Sequence, residues 1–216
     1  MQLCEQYRPK QWGEVVGQDK ALAKINALRR RGLAGRAYWV TGQSGTGKTT
    51  IARLLAGEIA EKHDIVEIDG GELTISTIHQ IRRDMEYFGG IWGAGGKNGR
   101  AYIVNEAHGL TKNAERLLLT LLEPIPAHVM FVFTTTIEGM TLFEETDDAS
   151  PLLSRCTEIP LSRRDLAQAF AERAAAIATK EGLNGRPIED YLKLARTYKN
   201  NMRRMLQHID DGEMLA

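Results

Sequence analysis

The amino-acid sequence predicts an α/β fold: a parallel sheet of five strands flanked by helices, followed by a small all-helical part. Three observations carry this expectation. Short β-branched or apolar runs alternate with stretches of helical periodicity up to Pro160, the pattern of a parallel sheet covered by helices. A glycine-rich turn, GQSGTGKT, follows the first run and opens a helix. Beyond Pro160 no strand pattern returns.

The strand-like runs fall at 38–41, 65–69, 101–105, 129–135 and 156–159. Each is followed by polar or glycine-rich residues, which puts chemistry at the carboxyl ends of the strands, where open α/β sheets bind ligands. Apolar residues recur at helical spacing over 20–31, 49–62, 75–88 and 113–122, the last closed by Pro124. The glycine-rich segment 89–99, GGIWGAGGKNG, reads as a flexible loop before the third strand. After Pro160, Ser162-Arg163-Arg164-Asp165 opens an alanine-rich helix running to Lys180. Glycines break it at 182–185, and two further helices follow at 188–197 and 201–209. The expected division is an α/β domain over 1–160 and a helical domain over 161–216.

Composition bounds the function classes. With 216 residues the chain can bury a sizeable core. Basic and acidic residues balance at 28 each, so no global field draws the chain to nucleic acid or membrane, and any DNA contact must come from a local face. Arg29-Arg30-Arg31 is such a cluster, but solvated basic residues also belong at a helix end, where they complement the dipole. Cys4 and Cys156 stand far apart without CxxC spacing, which argues against a zinc site or disulfide framework and for a reducing, cytoplasmic setting. No apolar run is long enough to span a bilayer and the N-terminus lacks the apolar core of a signal peptide. The expectation is a soluble protein with no membrane partner.

Gly42-Gln43-Ser44-Gly45-Thr46-Gly47-Lys48-Thr49 fits GxxxxGK[ST] in the strand–turn–helix context that this phosphate-binding loop requires. Glycine lets the backbone curl so that successive N–H groups and the helix N-terminus face anionic oxygens, and a side chain at Gly45 or Gly47 would block that approach. Lys48 is placed to reach the β- and γ-phosphates, Thr49 to offer its hydroxyl to magnesium, and Thr50 continues the lining. Two more strand ends deliver Asn105-Glu106 and Thr134-Thr135-Thr136 to the same edge. A nucleotide hydrolase usually has an acid at the first of those positions, which holds the metal, and another at Glu106. An amide at 105 still offers a carbonyl oxygen but not a full negative charge. Hydrolysis is therefore expected to slow more than nucleotide binding.

Read in order, Tyr7-Arg8-Pro9, Val16-Gly17-Gln18, the phosphate loop, IVNEAH, LTLLEPIP, FVFTTT, Ser154-Arg155-Cys156 and Asn201-Met202-Arg203-Arg204-Met205-Leu206 resemble an AAA+ clamp-loader ATPase subunit. The pattern is similar to DNA polymerase III gamma/tau and to the small subunits of replication factor C, and it covers about Tyr7 to Gln207. The resemblance implies the P-loop AAA+ fold with a helical lid, and ATP and Mg2+ as cofactors. It implies that Tyr7, Arg8, Pro9, Val16 and Gly17 line the adenine pocket and that Glu106 polarises the attacking water. Thr136, or its neighbour Thr135, would sense the γ-phosphate, Arg203 would be a second sensor, and Arg155 would reach the ATP of a neighbouring subunit. Implied partners are other AAA+ subunits, DNA and a sliding clamp. The sequence departs from the family in lacking the four zinc-binding cysteines and the third, helical collar domain. Where the family has a DNA-facing arginine after the second strand, the chain has Gly70-Gly71-Glu72.

The expected function is an ATP-binding and hydrolysing subunit that couples nucleotide state to assembly of a DNA clamp or DNA complex. Two alternatives stay open: a nucleotide-binding structural or switch subunit attenuated by Asn105, and another AAA+ DNA-remodelling ATPase.

Overall fold

Five strands form one parallel sheet in the order β2-β3-β4-β1-β5: β1 (Arg36–Thr41), β2 (Ile65–Asp69), β3 (Arg100–Asn105), β4 (Val129–Thr135) and β5 (Cys156–Pro160). They are seen in a computed structural model, which describes residues 2–87, 97–136 and 151–215. The expected loop falls largely outside the described residues, as does Phe88. The helices are α1 (Leu3–Gln6), α2 (Asp19–Arg29), α3 (Lys48–Ile59), α4 (Ile75–Tyr87), α5 (Lys112–Leu122), α6 (Pro151–Ser154), α7 (Ala167–Lys180), α8 (Ile188–Thr197) and α9 (Met202–Asp210).

All seven residues of β4 are buried, as befits a central strand covered on both faces. One face carries Trp39, Tyr102, Phe131 and Phe133, packed against α4, α5 and α6. Trp39 lies opposite Phe133 and Tyr102 opposite Phe131 in strand register, with ring centroids 5.4 and 5.1 Å apart. Such aromatic pairs stabilise beyond the area they bury. The other face carries Tyr38, Val40, Ile103 and Val132 against α2 and α3. On α5 the buried residues Ala114, Leu118, Leu121 and Leu122 form a single helical stripe, and Thr111 caps it by accepting from the Ala114 N–H at 3.2 Å. Truncating the fully buried Leu118 to alanine would cost about 2–5 kcal/mol.

A third cluster joins α7, α8 and α9 through Phe170, Ala174, Tyr191, Leu206 and Ile209. Leu3 of α1 is buried in it, and the Leu3 N–H lies 3.4 Å from Asp210 Oδ2. Gln6 Nε2 donates to Glu181 at 2.9 Å, Tyr7 donates its hydroxyl to the same carboxylate, and Lys180 Nζ sits 5.2 Å from the Tyr7 ring centre. Helix α1 is thus packed against α7 and α9.

Several element limits differ from expectation. β1 begins at Arg36, and α2 and α3 stop at Arg29 and Ile59, before the polar tails that periodicity alone had included. The largest correction is at Ser162–Asp165, which is connector rather than helix: Asp165 has a left-handed backbone (φ 58) and α7 starts at Ala167. The side chain of buried Gln18 holds this connector. Its Nε2 donates to the Ser162 carbonyl at 2.8 Å and its Oε1 accepts from the Ser162 N–H at 3.1 Å. Those backbone groups are therefore committed across the molecule rather than to a helix. No helix among the described residues is long and apolar enough to cross a membrane.

Candidate functional site

At the carboxyl end of β1 the chain turns through Gly45 (φ 80) and Gly47 (φ 97) into α3. Both angles belong to the left-handed region that glycine adopts without penalty. Space adds a second reason at Gly45, since a Cβ there would sit 2.0 Å from Asn201 Oδ1. Asn201 is buried and caps α9 by accepting from the Arg204 N–H at 3.3 Å. The phosphate loop and the last helix are therefore in direct contact. Lys48 is buried at the start of α3, its Nζ donating to the Gly42 and Gln43 carbonyls at 3.0 and 3.3 Å. The ammonium lies over the loop that it serves.

Beside this loop is a cavity of about 160 Å³. Of the residues expected at a nucleotide, Tyr7, Arg8, Pro9, Val16, Ser44, Gly45, Thr46, Gly47, Lys48, Thr49, Thr50, Glu106 and Arg203 all line it. Gly17, Gly42 and Gln43 do not. Gly17 (φ 73) packs under α7, where a Cβ would meet Leu166 Cδ2 at 2.4 Å. Cys4, Phe170, Ile177 and Leu206 supply apolar wall that the motifs did not reveal. Arg8 pairs with Glu5 and reaches Thr50 Oγ1 at 3.4 Å. Its hydrogen bond holds the Glu5 carboxyl below the usual range, and Glu181 raises Tyr7 by accepting a hydrogen bond from its hydroxyl.

Next to the loop, β2 and β4 bring two side chains around Asn105 of β3, and α3 brings a third. Asn105 Oδ1 accepts from Thr134 Oγ1 at 3.0 Å and lies 3.4 Å from Thr49 Oγ1. Asn105 Nδ2 donates to Glu67 Oε1 at 2.6 Å. Glu67 in turn receives a two-point ion pair from Arg53 of α3, at 2.8 and 3.1 Å, which raises the arginine. Thr134 belongs to the strand end expected at this edge, whereas Glu67 and Arg53 were not singled out in the sequence. Glu67 has the same side-chain parity as Asn105 on neighbouring strands, a signal that a charged residue inside β2 could have given.

Glu106 leaves the strand with a left-handed backbone (φ 48, ψ 52), a conformation that costs an ordinary residue roughly 1–3 kcal/mol and clusters at functional sites. Its carboxylate lies 3.5 Å from His108 Nδ1, which is 3.2 Å from Thr135 Oγ1. Thr136 does not line the cavity; its carbonyl accepts from Thr135 Oγ1 at 3.3 Å. Arg155 lies away from the cavity, bonded to Glu123 and to the Pro151 carbonyl. Arg203, by contrast, projects from the first turn of α9 into the cavity.

The donors at the loop suit magnesium. Thr49 and Asn105 present two hard oxygens side by side, and this ion binds through few protein groups together with substrate phosphates. Among the described residues no group of three or more His, Cys, Asp or Glu is placed to hold a metal alone.

The sequence matches known proteins throughout this arrangement. The DNA polymerase III tau/gamma subunit of Haemophilus influenzae is 27% identical over 236 aligned positions, covering 97% of the chain and 32% of that protein. The tau subunit of Escherichia coli is 27% identical over 233, covering 97% and 34%. The gamma/tau subunit of Mycobacterium tuberculosis (strain H37Rv) reaches 30% over 160, covering 63% and 27%. The homologues of this chain are DNA polymerase III tau/gamma subunits. The chain spans about a third of the length of the curated relatives it matches. The ABC transporter family model matches residues 31–90, which hold the phosphate loop that such proteins share. Among solved structures, the Thermotoga maritima RuvB Holliday junction branch migration motor superposes with a TM-score of 0.69 at 20% identity, covering 94% of this chain and 64% of that one. That likeness places the chain in the P-loop AAA+ fold.

Proposed function

We propose that the chain binds ATP with magnesium in the cavity beside Lys48, hydrolyses it slowly, and acts as a clamp-loader-like subunit whose nucleotide state governs assembly on DNA. The observation that carries this is convergence. The phosphate loop, the strap formed by Tyr7, Arg8 and Pro9, and Arg203 of α9 meet around one cavity. On this reading residues 161–216 form a lid domain over an α/β domain of residues 1–160, with α1 strapped to the lid.

The chemistry follows from the donors present. Lys48 and the backbone amides of the loop hold the phosphates, and Arg203 approaches from the lid. When bound, magnesium would supply positive charge against the charge that develops on the phosphate oxygens. Thr49 and Asn105 would hold it. Glu106 accepts a proton from, and so orients, the attacking water. Thr136, or its neighbour Thr135, senses the γ-phosphate, and the hydrogen bond from Thr134 to Asn105 supports a part for Thr134 on the metal side. Arg155 stabilises the transferring phosphoryl group in a neighbouring subunit, a role suited to a planar delocalised cation.

A second reading, a nucleotide-binding switch that hydrolyses little, is favoured by the neutral side chain at 105. The test is ATP turnover per molecule across protein concentrations, with and without primed DNA. Specific activity that rises with both, and is abolished in Arg155→Ala, supports the assembling ATPase. Saturable ATP binding with background turnover throughout selects the switch, and absence of ATP binding overturns both.

A further inference from the structure

We propose that Glu67 is the positioning residue that fixes the Asn105 carboxamide with its carbonyl oxygen toward Thr49, so that positions 67 and 105 are a matched acid–amide pair and an aspartate at 105 is incompatible with Glu67. This deepens the proposed ATP site and rests on that reading for its catalytic consequence.

An amide presents a donor on one side and an acceptor on the other, and which side is which follows from its partners. A carboxylate accepts only. Glu67 Oε1 stands 2.6 Å from Nδ2 of Asn105, so turning the amide over would set its carbonyl oxygen against the carboxylate. The opposite side faces two hydroxyls, Thr134 Oγ1 at 3.0 Å and Thr49 Oγ1 at 3.4 Å, both able to donate to a carbonyl oxygen. Every neighbour thus selects the same orientation. Glu67 is itself fixed by the two-point ion pair from Arg53 on α3, an arrangement more directional than a single contact.

The pair also explains how an amide can stand where a hydrolase usually has an acid. Glu67 keeps a negative charge one side chain away from the metal position, and Asn105 turns its carbonyl dipole from that charge toward Thr49. An aspartate at 105 would bring two carboxylates within hydrogen-bond distance. Like charges so placed repel.

The experiment is a double-mutant cycle on the full chain with N105D, E67Q and N105D/E67Q, read first as melting temperature without nucleotide. The expected result is that N105D melts several degrees below the wild type, while N105D/E67Q melts above N105D. Additive effects overturn the pairing. The second readout is the ratio of affinities for a fluorescent ATP analogue with and without magnesium. E67A is expected to lower that ratio about tenfold with little change in the metal-free affinity, and E67Q, which keeps an acceptor toward Asn105 Nδ2, to restore most of it. Equal loss with and without magnesium, or no loss, overturns the positioning role. A wild type that binds no nucleotide defeats the proposed ATP site, whereas the melting cycle still decides whether Glu67 and Asn105 are coupled.

Discussion

Arg155 Nη2 donates to Glu123 Oε1 at 2.7 Å, so the arginine proposed to complete a neighbouring site is engaged within its own chain. Both partners are substantially exposed, and such a pair stabilises by no more than about 1 kcal/mol. Its cost is easily met by an intersubunit contact. Glu123→Ala should leave the melting temperature nearly unchanged and shift the concentration dependence of ATP turnover to lower protein concentration. Unchanged concentration dependence would show that the ion pair does not compete with assembly.

Gly45 is expected to be the least tolerant position of the phosphate loop. Gly45→Ala adds a Cβ 2.0 Å from Asn201 Oδ1 on a backbone already at φ 80. It should weaken ATP binding at least tenfold and lower the melting temperature. Adding Asn201→Ala removes the clash at the cost of a helix cap, about 1 kcal/mol, and should recover part of the affinity. Calorimetric titration of the single and double variants checks this.

Gln18→Ala leaves both backbone groups of Ser162 without their side-chain partner. Losing two such bonds in a part-buried setting costs about 1–3 kcal/mol, which corresponds to roughly 2–12 °C in melting temperature for a chain of this size. Because the connector also leads into α7, cleavage by a protease near Arg163 should accelerate. Limited proteolysis with and without ATP reads this directly.

Burial pushes the Cys156 thiol up to about 12, with the charge of Glu158 acting in the same direction. The unfolded thiol ionises at lower pH, so above that value the unfolded chain binds fewer protons than the folded one. Stability should therefore fall as pH rises from about 9 toward 12. In the folded protein at pH 8, a thiol reagent should modify the half-buried Cys156 more slowly than in urea. Equal rates in the native and unfolded states would show that the fold does not hold this thiol protonated.

The sheet was legible because a buried central parallel strand is written as a short continuous apolar run, as β4 is, and because the half-exposed edge strand β2 still shows a short run rich in β-branched residues. The phosphate loop was legible because its chemistry is local in sequence. What escaped was everything decided by partners far along the chain. Helix α1 has only four residues and owes its place to Asp210 and the α7–α9 cluster. Ser162–Asp165 has helical composition, but Gln18 claims the Ser162 backbone across 144 positions. Glu67 looked like an ordinary charged residue on an edge strand, because its partner Asn105 is 38 positions away and visible only through strand pairing.

The contact between Leu3 and Asp210 links positions 207 residues apart, and joins the helix that precedes the cavity-lining Tyr7, Arg8 and Pro9 to the helix that carries Arg203. During synthesis α1 emerges well before α9, so the phosphate loop can fold with the sheet before α1 gains its contact with Asp210. A truncated chain ending before α9 should keep the sheet and, on the proposed reading, lose nucleotide affinity. Affinity for nucleotide is then a property acquired late, when α1 and α9 meet.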